Sequence, residues 1–101
     1  MAKAAPAYFL FDVRIHDPSQ LGPYLEGVEA TYKAYGGKLL TLHGQQQVVE
    51  GQGPMGAVVI LAFESLDMAQ AWHASEAYQQ LIPYRHTAAD TNAWLIEGLA
   101  G

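Results

Sequence analysis

Tyr78 and Arg85 are the residues of this chain best suited to chemistry. They stand seven positions apart, about two helical turns, with Pro83 between them. A guanidinium fork beside a phenol is what a site needs to hold a small carboxylate or an enolate. The pair also has a structural reading, in which Arg85 clamps Glu50 or Glu97 and Tyr78 fills the core with its hydroxyl on a carbonyl. Glu50, directly before Gly51, divides the same way. In a pocket its carboxylate is a general base with a raised pKa; at a hairpin end it is a charge that discourages edge-to-edge pairing.

The four histidines, His16, His43, His73 and His86, show no HxH, HxxxH or HExxH spacing. His43 reads as mid-strand, before Gly44 and on the face of Leu39 and Thr41. There it is a general base, a haem ligand or a hydrogen-bonded strand histidine. Asp12 and Arg14, spaced by two, point to one face of a strand, where they bind a polar ligand or neutralise one another and specify a dimer. No serine sits in a nucleophile elbow, and Gly51–Gly56 does not join strand to helix as a phosphate loop does. With no cysteine there is no thiolate, disulfide or Cys-based zinc site. Neither metal nor cofactor is expected. The candidate ligand-binding set is Tyr8, His43, Tyr78 and Arg85, in a pocket between sheet and helices, with His43 and Glu50 as candidates for catalytic proton transfer.

The elements that must position this set follow from the hydrophobic pattern. Ala7–His16 alternates: Phe9, Phe11, Val13 and Ile15 share one strand face, and Tyr8, Leu10, Asp12, Arg14 and His16 the other. Asp17-Pro18-Ser19-Gln20 predicts a helix start, with Asp17 as cap, Pro18 at the first helical position and Gln20 completing a capping box. Leu21, Leu25, Val28, Tyr32 and Tyr35 form its apolar stripe, and Gly36-Gly37 ends it. Lys38–Glu50 reads as a long strand bent at Gly44, joined through the turn Gly51–Gly56 to an antiparallel partner, Ala57–Glu64. Ser65 caps a second helix, Leu66–Ala74, and Ser75 caps a further turn carrying Tyr78, Leu81 and Ile82 up to Pro83. Tyr84–Asp90 carries no clear pattern, and Thr91–Gly98 is the last strand.

The order β-α-β-β-α-β is the split βαβ of ferredoxin-like domains, an α+β fold with a four-stranded antiparallel sheet and both helices on one face. Residues 7–101 form one such domain and residues 1–6 a flexible tail. Yet Ala57–Phe63 and Trp94–Ile96 are apolar on both parities, so both faces of the sheet need cover. Two helices shield one face. A second copy is expected on the other, closing a dimeric α+β barrel through the sheet. A composition that is 50% hydrophobic and 15% charged excludes disorder, and a net charge of −5 without a basic cluster speaks against nucleic-acid or anionic-membrane partners. The first residues lack the apolar core of a signal peptide, and a cytoplasmic protein is expected.

These positions also carry a resemblance. Asp17-Pro18 with Tyr24, Gly36-Gly37, Glu50-Gly51 and Val58–Phe63 followed by Ser65 come first in order. Ala69, Ala71-Trp72, Ser75, Tyr78-Gln79, Leu81, Arg85 and the ending Leu95-Ile96-Glu97-Gly98 complete it. The set, from about Tyr8 to Gly98, resembles the small bacterial family known as domain of unknown function 1330. That resemblance implies a ferredoxin-like protomer in the dimeric α+β barrel superfamily and no established activity. Cofactor-free monooxygenases, isomerases of ring-cleavage pathways and haem-binding peroxidases are relatives by fold, and fold alone assigns none of their reactions. His73 follows Trp72 where the family pattern has another aromatic.

The reading that follows is a homodimer binding a small aromatic or carboxylate-bearing molecule. A cofactor-independent isomerase or monooxygenase is the alternative, in which His43 or Glu50 moves a proton and Arg85 steadies an oxyanion. A purely structural or regulatory dimer, its cavity filled by side chains, is the third.

Overall fold

Strict alternation makes the first strand, β1 (Ala7–Ile15), the centre on which the molecule is built. A computed structural model describes residues 5–100; of the expected tail, residues 1–4 lie outside them. After β1 come α1 (Gly22–Lys33), β2 (Lys38–Leu42), β3 (Ala57–Phe63), α2 (Leu66–Ala74), α3 (Glu76–Gln79), α4 (Ile82–Ala88) and β4 (Ala89–Glu97). The strands form one antiparallel four-stranded sheet in the order β2-β3-β1-β4. This is the ferredoxin-like α+β arrangement, with the second helical connection broken into three pieces.

Register sorts the side chains. Phe9 lies between Leu61 and Leu95, and Phe11 between Val59 and Ala93, all on the helix side. Leu10 lies between Ile60 and Trp94, and Tyr8 between Ala62 and Ile96, on the other side. The buried cluster takes its strand residues from the first set and closes on Trp72 and Tyr78, both fully buried. Phe9 meets Trp72 edge-on at 5.2 Å between centroids, and Trp72 meets Tyr78 at 4.1 Å. The indole N–H of Trp72 donates to Thr31 Oγ1, which donates to the Val28 carbonyl, so this core polar pair is satisfied.

Local signals explain most boundaries. Ser65 Oγ accepts from the Met68 amide and Ser75 Oγ from the Tyr78 amide, capping α2 and α3 as expected. Gly36, at φ +74°, takes the left-handed turn after α1. The start of α1 differs from expectation. Asp17 accepts from the Ser19 hydroxyl instead of capping a helix, Pro18–Gln20 form a 3-10 turn, and Pro23 stands in the first turn of the α-helix. Pro83, expected to end the turn that carries Tyr78, instead stands in the first turn of a new helix, α4, which runs on into the stretch that showed no clear pattern.

The long second strand is the main correction. β2 stops at Leu42, its irregularity lies between Leu39 and Thr41 and not at Gly44, and residues 43–56 make no strand. Gly44 and the run Gln45-Gln46-Gln47 give little strand propensity, and His43 turns the chain away at φ +54°. The segment returns through Asp12, whose carboxylate accepts from the Met55 and Gly56 amides at 2.9 and 2.8 Å. A Cβ at Gly56 would run into the Val13 carbonyl. Asp12 and Arg14 therefore neither neutralise one another nor share a task. Arg14 reaches across to its register partner Asp90 on the exposed surface.

Candidate functional site

Between α1 and the helix face of the sheet lies a cleft of about 200 Å³. Phe11, Val13, Val59 and Leu61 form its sheet wall, Tyr24 and Val28 its helix wall. α4 brings Arg85 to it, and Leu42 and His43 border it at the end of β2.

Arg85 is 5% exposed. Its guanidinium carbon sits 5.5 Å from the ring centroids of both Phe11 and Tyr24, two cation–π contacts. Nη2 donates to the Tyr78 hydroxyl at 3.4 Å, a long contact, and Nε is buried with no partner. Among the described residues no carboxylate lies within ion-pair distance of it. Glu50 and Glu97, the acids that a structural clamp needed, are both exposed and elsewhere. A buried cation without an acid is costly to leave so, and the rings offset only part of that cost.

Two phenols extend the polar group. The Tyr24 and Tyr78 hydroxyls lie 2.9 Å apart. Burial, and Tyr78 beside it, push the Tyr24 hydroxyl far above the usual phenol range; burial also raises Tyr78, with Arg85 pulling the other way. Both are protonated at neutral pH. His73, stacked on Phe9 behind Trp72, is held below its ordinary value by burial and then by Arg85.

The sequence-based set is thus partly assembled. Tyr78 and Arg85 come together, although α3 ends at Gln79 and α4 begins at Ile82, so they meet across a break in the helix. His43 borders the cleft as an exposed residue with Leu39 and Leu42, while Thr41 lies on the opposite face. Tyr8 is a correction: it lies on the far side of the sheet, its ring over Gly98. Glu50 is another. It belongs to the exposed 43–56 segment, which frames a separate solvent-open depression of about 390 Å³. Tyr24 was missing from the set. Its spacing from Leu21 and Val28, three and four residues, is the signal that places it on the inner stripe of α1. Among the described residues no group of three or more His, Asp or Glu could hold a metal ion, and no helix is long and apolar enough to cross a membrane.

Comparison with known proteins bears on the family and the fold. A model of a domain of unknown function (DUF1330) matches residues 6–99. A protein of unknown function from Rhodopseudomonas palustris superposes with a TM-score of 0.70 at 18% identity, over 99% of this chain and 87% of that one. SnoaB, a cofactor-independent oxygenase from Streptomyces nogalater, superposes at 0.64 with 11% identity, over 97% of each chain. A dimeric ferredoxin-like protein of unknown function from Thermobifida fusca gives 0.62 at 10% identity, over 96% and 94%. At these identities the likeness is one of fold. Among curated proteins none matches the sequence.

Proposed function

The chain belongs to the DUF1330 family, and from that premise we propose that it is a homodimer whose protomers each bind a small aromatic or carboxylate-bearing molecule in the α1–sheet cleft. One observation carries the reading: a buried arginine, with no carboxylate in ion-pair distance among the described residues, stands beside an open apolar cavity. A ligand carboxylate supplies the missing charge, and its flat apolar part meets Phe11, Val13 and Leu61. The cavity distinguishes this reading from a dimer filled by its own side chains.

The homodimer rests on the uncovered face, where Leu10, Ile60, Trp94 and Ile96 form an apolar patch with Trp94 51% exposed. A second copy laid sheet to sheet covers it. The proposal puts the dimer in the cytoplasm; without cysteine its fold depends on no disulfide.

Thermal stabilisation by a panel of small aromatic and dicarboxylic acids tests the cleft. At least one acid should raise the melting temperature of the wild type, and Arg85→Ala should abolish that shift; an undiminished shift removes Arg85 from the site. A cofactor-independent enzyme is the second reading, favoured by the likeness to SnoaB in fold. It ranks second because the deep groups are donors: two protonated phenols and an arginine leave His43, at the border, as the base.

A further inference from the structure

The hydrogen-bond arithmetic of the buried trio fixes which of its two hydroxyls meets the ligand. Arg85 has only donors, so in its contact with Tyr78 the tyrosine oxygen must accept. Tyr78 is fully buried, and its hydroxyl has two polar neighbours in the structure, Arg85 and Tyr24. Its own proton has one possible acceptor, Tyr24 Oη. The reverse order, with Tyr24 donating to Tyr78, strands the Tyr78 proton in the core, at the cost of an unmade buried hydrogen bond.

We infer that the donors run in one direction, from Arg85 to Tyr78 to Tyr24, and that the Tyr24 hydroxyl presents the last proton to an acceptor oxygen of the ligand. Tyr24 borders the cleft and is partly exposed, so its proton finds water or ligand there, whereas Tyr78 is not among the cleft walls. Each donor polarises the next, and a cation stands at the head of the series. The cleft thereby selects a ligand with an oxygen that accepts and bears negative charge, a carboxylate or an enolate. A ligand that offers only a donor leaves the Tyr24 proton without an acceptor. Of the two phenols, Tyr24 is the binding residue and Tyr78 a positioning residue that orients its hydroxyl.

This inference rests on the proposed cleft, and its test separates the two. Benzoate is the probe, with affinity read by ligand-observed NMR. Tyr24→Phe should weaken benzoate binding tenfold or more, and Tyr78→Phe by less, because Tyr24 then keeps its proton but loses its orientation. Equal affinity in wild type and Tyr24→Phe overturns the role of Tyr24 while leaving the cleft intact. Neutron diffraction from deuterated, unliganded crystals decides the order independently. Nuclear density for the Tyr78 deuteron on the line to Tyr24 Oη upholds it, and a Tyr24 deuteron pointing at Tyr78 overturns it. If benzoate does not bind the wild type, the binding reading is what fails for this probe, and the neutron map still upholds or overturns the order.

Discussion

The two faces of the sheet are built from alternate residues of the same strands, yet they end differently. On one, Phe9, Phe11, Leu61 and Phe63 are buried beneath α2 and its neighbours. On the other, Leu10 and Ile60 are only partly covered and Trp94 and Ile96 are about half exposed. Apolar content alone does not separate them. The helix face also carries a polar trio and an unfilled cleft, whereas the open face is a continuous apolar row, Ile60-Leu10-Trp94, across three strands. A gap beside a cation suits a small molecule; a flat oily row suits another protein surface.

Adjacent residues of β3 break this comparison most directly. Leu61→Glu places a carboxylate under Trp72 and Phe9, and should cost several kcal/mol, enough to leave the chain unfolded by circular dichroism. Ile60→Glu, one position away and on the open face, should keep the fold and lose the dimer, as light scattering would report. A folded dimer from Ile60→Glu removes the sheet-to-sheet assembly. The smallest expected effect sharpens the helix side. His73 is neutral in the fold because burial and Arg85 lower its proton affinity, while the unfolded chain takes up that proton near the ordinary value of 6.5. Its contribution is therefore complete above that pH and lost as pH falls through and below it. Melting temperatures should decline over that window less in His73→Gln than in wild type.

What the sequence disclosed follows the same division. The Phe stripe of β1, the caps at Ser65 and Ser75 and the left-handed Gly36 are local signals, and each was legible. Which of Val59 and Leu61 faces outward was not, because Val58–Phe63 is apolar on both parities; register places both beneath the helices and turns Val58 and Ile60 out. That Tyr78 and Arg85 meet was legible from their spacing, whereas the place of Tyr78 behind the cleft wall was not. The missing acid beside Arg85 was not, since Glu50 is displaced by a loop that replaces the second half of an expected strand, a tertiary outcome no local pattern records. Tyr8 failed for a simpler reason: its even position in β1 already put it across the sheet from Phe11.

Asp12 has a practical consequence for anyone redesigning this protein. One side chain pins the landing of the 43–56 segment by two backbone amides, and Leu42 fixes its take-off, while the Gln46 side chain donates to the Gly56 carbonyl across its base, so the residues from Gln47 to Pro54 set no strand alignment. Doubling the length of such a connection adds only about 0.6 kcal/mol of closure entropy. Around Gln47, a foreign peptide or a fluorescent tag can be grafted with the sheet left in place.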